Sequence, residues 1–522
     1  MSTFSYSKTE TDVKILAKIA EKAVTPNARL AQLEANQVAG TPLMIDNAFV
    51  QGFTWDSATD VGTRTGSLKG LPLSVSPGNA NLPIHSEIKR CLKTDAGVDT
   101  VLDEVYTLNK IGMTPLSIGA VTTATAGKLI DAAATFITKG VVAGLCVKNY
   151  NTNTVYMITA VDSEIQLSVK SINGVAFALG DTYYIGTAKF DGSEGNVFSR
   201  IPKFYEYHGL SSTLHSWGAS IYKMPGYTIH PDFIKDGVEQ DYIYVGSFEG
   251  SMFDASTAAM ATDAVAIANS YAAGDKLCSL PFQCPKVKET RAKFRTMAAA
   301  RGTGFRQLTY YKHSAIQLLY LIEYANFNSQ TCIGSGRTNL SGGTWVADSY
   351  IGRTGMSLGD GNTTNNVSLN GPAGYLTDYM TYRGIENLYG NVWKMIDGIA
   401  WDGRWTGAAA AQPVYVTNNS NYFQDQLPDN QLAEVAPYIG ALAGYISDIQ
   451  DMVGFLPKAA VGSSTTKLTD YYYQYSEDTR DYWRVVLVGG NSTDGVWGGA
   501  FSLYASNAWS YAHETFAGRL CF

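Results

Sequence analysis

Six histidines, His85, His208, His215, His230, His313 and His513, are the first residues that could do chemistry. None stands in an HxH or HExxH pattern or beside a carboxylate at ligand spacing, so the motifs of a zinc hydrolase are missing. Asp397 and Asp402 lie close together in DGIAWDGRW, and two carboxylates at a set separation are what a glycosidase needs. The alternative for them is loop carboxylates bound to backbone N–H groups or to a calcium ion. Glu323 interrupts the greasy run AIQLLYLIEYANF, and a buried, hydrogen-bonded core carboxylate is expected there. The string GDGNTTNN is followed by no Lys-Ser/Thr, which excludes a phosphate loop. The cysteines Cys91, Cys146, Cys278, Cys284, Cys332 and Cys521 are scattered without a CxxC pair, as in a reduced protein. No catalytic residue, cofactor or metal site is therefore expected.

Binding has better material. From Asn491 to Phe516 the chain holds no Lys or Arg, yet places Trp497, Tyr504, Trp509, Tyr511, His513 and Phe516 among Ser, Gly, Ala and Asn. Tyr and Trp offer large contact area at low entropic cost, and the small polar residues adapt their hydrogen bonds, as in an antibody paratope. In AFSLYAS, Phe501, Leu503 and Ala505 alternate with Ser502, Tyr504 and Ser506. A strand there buries the first set and displays the second. The competing reading puts these aromatics in the core, most of all Phe501 and Trp509.

The elements that must position these residues come from composition and pattern. Charged residues make up 16% of the 522-residue chain against roughly 25% in ordinary soluble proteins. With 51 Gly, 33 Tyr and 9 Trp, this describes a β- and loop-rich α+β protein. A formal charge of -7 without a basic run argues against nucleic acid as a partner. No stretch is long and apolar enough for membrane insertion. The start, MSTFSYSKTETDVK, lacks the basic and apolar blocks of a secretory signal, so export by that route is not expected. Residues 1–80 are expected to hold one amphipathic helix over 11–24 and an extended Gly/Ser/Thr segment over 50–83, together an attachment or oligomerisation region. Short strands and turns over 113–190 predict a small β-barrel or sandwich, similar to β modules inserted in bacteriophage structural proteins. Residues 191–522 form one long unit with a helix near 286–301, stopping at Gly302, and a second, wholly buried one over HSAIQLLYLIEYANF.

The stretches ENLYGNVWKMIDGIAWD, WRVVLVGGN and AGRLCF, with IPKFYEYHG, HPDFIKDGVEQDYIYVGSFEGS and FRTMAAARGTGFRQLTYYKHS, resemble the C-type lectin fold of formylglycine-generating-enzyme type. More closely, they resemble the variable proteins of diversity-generating retroelements and their phage relatives. LPIHSEIKRCLKTDAG resembles the family's lead-in, so residues 81–112 would open the head and the β module would be inserted after it. The resemblance implies a virion protein on a tail fibre, tail tip or capsid surface, made in the host cytoplasm. It further implies a rigid head binding a host cell-surface protein or glycan, contacts with other virion proteins through the amino-terminal region, and a homotrimer.

The ligand face the resemblance implies comprises Ser492, Asp494, Trp497, Ser502, Tyr504, Ser506, Tyr511, His513, Glu514 and Phe516. Ser492 stands where such members often carry Trp, and Cys521 lacks the partner that the formylglycine-generating enzymes have, which argues against their activity. The EPN, QPD and WND strings of calcium-dependent sugar-binding lectins are also missing. A capsid or baseplate fibre with a mainly structural role, and a glycan-active enzyme using Asp397 and Asp402, are the competing functions.

Overall fold

A computed structural model describes residues 49–368, 377–402, 414–425, 434–436, 443–474 and 483–522. The helix expected over 11–24 lies outside them. Within them the chain is mostly β-structure with few helices. The helix Tyr310–Tyr324 is its axis, and all of its residues are buried. Thr309 caps it by accepting from the Lys312 N–H at 3.2 Å, and Ala325, left-handed at φ 51°, ends it. A helix apolar nearly all round has to be enclosed. Here the strands Gln51–Asp56, Leu214–Ser220 and Trp393–Asp402 pack against it.

The first of those strands corrects the expectation of an extended segment over 50–83. Gln51–Asp56 and Val61–Gly66 form a hairpin in a five-stranded sheet that includes Leu214–Ser220 and Tyr205–Ser211. Phe53 and Trp55 alternate inward onto Phe327, at 6.1 and 5.0 Å between ring centroids. Buried Arg64 donates to the Ile322 and Glu323 carbonyls at 2.8 and 2.7 Å, neutralising the helix C-terminus. Residues 51–66 are therefore part of the main body, and residue 80 marks no boundary between bodies.

Lys89–Lys93 pairs antiparallel with Asn196–Pro202, placing Cys91 opposite Phe198. The intervening chain, from Ser117 to Lys189, builds a separate six-stranded sheet. Its ends meet where the Thr122 N–H donates to the Ile130 carbonyl at 2.8 Å and Thr123 bridges Ile130, closing the sheet on itself. Leu129, Phe136, Leu145, Tyr156, Phe177 and Tyr183 fill its interior. The expected module is thus present and sits between two paired strands. Cys146, Val155 and Tyr184 face the other way and pack with Leu92, Phe248 and Leu358 of the main body.

Two further large sheets run through the body, beside four small ones of two or three strands among the described residues. One has six strands in the order Arg306–Gln307, Leu520–Cys521, Tyr242–Gly246, Asn196–Pro202, Lys89–Lys93, Asp99–Val101. The other has eight, among them Trp393–Asp402, Trp483–Val488, Leu503–Tyr504 and Tyr471–Tyr473, with Phe516–Ala517 joined parallel to Trp393–Lys394. The shorter helix, Arg291–Ala299, buries Phe294, Met297 and Ala298 as its pattern predicts, with Thr290 serving as its N-cap.

Candidate functional site

The eight-stranded sheet sorts the carboxyl-terminal aromatics by register. Leu503–Tyr504 runs antiparallel to Leu487–Val488 and parallel to Tyr472–Tyr473, so Tyr504 lies opposite Tyr473 and Leu503 opposite Tyr472. Phe501, Leu503 and Ala505 are buried, as expected, but so are Ser502 and Ser506, and Tyr504 alone of 501–506 is partly exposed. On the other face Tyr504 stacks on Tyr473 at 5.1 Å with ring planes 14° apart, and Trp393 leans against Tyr504 at 5.7 Å.

These rings form one wall of a cavity of about 460 Å³, within the range of small-ligand sites. A second wall is Trp497 and Tyr471, 5.3 Å apart, with the Trp497 indole N–H donating to the Tyr445 hydroxyl at 3.1 Å. The third is Tyr511, His513 and Phe516, with Tyr511 and His513 stacked at 5.9 Å. Trp497 is 52% and Tyr511 42% exposed, so the rim is open to solvent. The remaining lining is Asn491, Asp494, Asn507 and Thr515, and among the described residues no Lys or Arg lines the cavity.

The frame under this opening is rigid. Gly489 and Gly490 take positive φ, 91° and 80°, to turn the chain out of the strand, and a Cβ on Gly490 would lie 2.8 Å from the Gly498 Cα. The Asp494 carboxylate accepts from the Asn491 N–H at 2.8 Å, closing the turn. Burial pushes that carboxyl up to about 6 against the opposing hydrogen bond from Asn491. Gln330 reaches from below to the Gly495 and Gly498 carbonyls at 2.7 and 2.6 Å. Asp470 accepts from the Phe501 N–H at 2.6 Å, and its full burial pushes its carboxyl up to about 8. On the third wall the Thr515 N–H donates to His513 Nδ1 at 3.3 Å, which leaves Nε2 to carry the ring proton.

Of the ten residues expected on the ligand face, Asp494, Trp497, Tyr504, Tyr511, His513 and Phe516 meet at this cavity. Phe516 does so from the core side, packed with Phe294 and Met297 while closing the cavity floor. Ser492, Ser502 and Ser506 are corrections, because all three are buried. The strand is only two residues long, so its alternation does not extend to either serine. Ser502 instead turns its hydroxyl to the Trp497 carbonyl, and Ser492 is held between Asn391 and Leu340 by backbone hydrogen bonds of 3.0 and 2.8 Å. Glu514 stands outside the cavity, 3.9 Å from the Lys288 ammonium and 3.7 Å from His513 Nε2.

Sequence reasoning missed Trp393, Tyr471, Tyr473, Asn491, Asn507 and Thr515. The YYY string at 471–473 carried a usable signal, since in a strand its outer two tyrosines share a face. Trp393 carried none, because its proximity to Tyr504 depends on strands distant in sequence.

The other candidates lie elsewhere. Asp397 is buried on the strand Trp393–Asp402 and takes both arms of the Arg295 guanidinium at 2.6 and 2.9 Å. That bidentate pair holds it as a charged structural anchor, not a loop carboxylate. Asp402 sits five residues along the same strand, also buried. Glu323 is the expected core carboxylate, bound by Arg383 at 2.9 and 2.5 Å and by the Ser76 hydroxyl at 2.6 Å. All six cysteines are free thiols, and among the described residues no cluster of His, Cys, Asp and Glu could hold a metal ion. No protein-family model matches this chain, and no curated protein matches it either.

Proposed function

We propose that this chain is a phage or prophage virion protein whose carboxyl-terminal head, a C-type lectin fold of formylglycine-generating-enzyme type, binds a host-surface ligand. The observation that carries the reading is the open aromatic cavity, built from six of the residues expected on the ligand face. An exposed aromatic cluster costs solubility and is retained where it binds something. Its walls are rigid while its rim residues, Trp497 and Tyr511, are exposed, which suits a surface whose side chains vary without disturbing the frame.

Two features of the body support the lectin-type head. The strand Lys89–Lys93 of the lead-in pairs with Asn196–Pro202 across the inserted module, and Leu520–Cys521 returns to the same sheet. The ligand loops thus hang from a sheet system tied at both ends. In this reading the amino-terminal region contacts other virion proteins, the head forms a homotrimer, and many copies per particle multiply a weak single-site affinity. The head makes and breaks no bond.

Adsorption of the purified full chain to host cells tests the reading. Tyr504→Ala and Tyr511→Ala, each kept only if thermal unfolding stays cooperative, are expected to lose adsorption. Unchanged adsorption by both folded variants would remove the cavity from the binding surface.

A further inference from the structure

The cavity's chemistry narrows the ligand, on the premise that it is the ligand site. Its walls present aromatic rings from three directions: Trp393 with Tyr504, Trp497 with Tyr471, and Tyr511. Ring faces carry negative quadrupole potential and attract cations, more strongly where water is displaced. Among the described residues Asp494 is the only acidic side chain in the lining, and no Lys or Arg lines the cavity. Its interior therefore repels phosphates, sulfates and acidic sugars.

The type of cation follows from hydrogen bonding. Asp494 already accepts from the Asn491 N–H at 2.8 Å and from the Trp393 side chain. His513 Nδ1 is taken by Thr515. Ring faces offer no lone pair, so a primary ammonium placed among them gives up hydrogen bonds to water that the rings do not return. A cation without N–H donors has no such bonds to lose and keeps the attraction of the rings that line the cavity. We infer that the cavity binds a quaternary ammonium group, a choline-type headgroup, between Trp497, Tyr504 and Tyr511, with Asp494 as its counter-charge.

The experiment is direct binding of small probes to the full chain by saturation-transfer NMR and titration. The probes are choline, its neutral isostere 3,3-dimethylbutan-1-ol, n-butylammonium and methyl glucoside. Choline is expected to bind at least ten-fold more tightly than the other three. Trp497→Leu, at a position 52% exposed and used only if its thermal unfolding stays cooperative, is expected to weaken choline several-fold, and Asp494→Asn to weaken it further relative to the neutral isostere. Equal binding of choline and the isostere, preference for n-butylammonium, or displacement by the glucoside would each overturn the inference.

Adsorption separates this inference from its premise. If no probe binds but Tyr504→Ala and Tyr511→Ala lose adsorption, the ligand site stands and the quaternary ammonium falls. If choline binds and adsorption ignores those variants, the cavity chemistry stands and the adhesin reading falls. Binding to phosphatidylcholine vesicles would identify a lipid as the carrier; binding of free choline without vesicle binding would point to a headgroup carried on a surface glycan.

Discussion

Tyr472 and Tyr473 are neighbours on one strand, yet the first is fully buried against Trp401 at 5.7 Å and the second lines an open cavity against Tyr504. The same division holds around the cavity, whereas elsewhere the strands Trp393–Asp402 and Trp483–Val488 are buried on both faces. On the inner face Leu503 and Phe501 join Tyr320, Phe327 and Phe455, with Phe501 5.1 Å from both of those phenylalanine rings. On the outer face Tyr504, Tyr473 and Trp393 form an aromatic wall that is half-buried and lines the open cavity. Residue type does not decide between core and open cavity here. The side of the sheet does, together with what the rest of the chain lays over it: the helix Tyr310–Tyr324 covers one face, while the loops 489–502 and 505–515 frame the other without closing it.

If that comparison is right, truncations on the two faces part sharply. Phe501→Ala, on the inner face, is expected to cost about 3–5 kcal/mol of stability, read from chemical denaturation, because it leaves a hole among rings that cannot collapse. Tyr511→Ala, on the outer rim, is expected to change stability within about 0.5 kcal/mol but to cost about 1–2 kcal/mol or more of ligand binding. A Tyr511→Ala variant that unfolded as readily as Phe501→Ala would erase the distinction between the faces.

A subtler test uses the boundary between them. Asp470 lies under the Phe501 N–H, its carboxyl raised from 3.8 to about 8 by burial. Between those values the folded state holds a proton that the unfolded state has released, so this group's contribution to stability falls as pH rises from about 4 to about 8. Asp470→Asn removes the titration, and its melting temperature relative to wild type is expected to be more favourable at pH 8 than at pH 4. A difference independent of pH would show that Asp470 is ionised in the fold. The smallest effect is expected at Ser492, whose buried hydroxyl makes no hydrogen bond. Ser492→Ala should leave adsorption unchanged and stability within about 0.5 kcal/mol, measured in the same assays.

Local pattern was enough wherever one element decides the outcome. The apolar run around Glu323 had to be an enclosed helix, because no face of it tolerates water, and its carboxylate had to find a buried partner. The strand-and-turn rhythm of 113–190 was enough for a closed β module. The absence of Lys and Arg from 491–516, with its load of Tyr and Trp, pointed to the region where the cavity lies. What pattern could not settle was anything requiring two distant segments. The hairpin 51–66 pairs with itself locally, but its place in the main body depends on Leu214–Ser220, about 160 residues away in sequence, and pairing of that kind leaves no local mark. Ser492, Ser502 and Ser506 looked displayed because polarity suggests water, whereas their burial follows from loops folding over a two-residue strand. Trp393 and Tyr473 joined the cavity only through sheet register, and the pairing of Asp397 with Arg295 of another element depends on the same packing. Side-chain type and spacing are written in the chain, but which surfaces end up covered is a property of the packed whole, and that is what separates a core from a binding face.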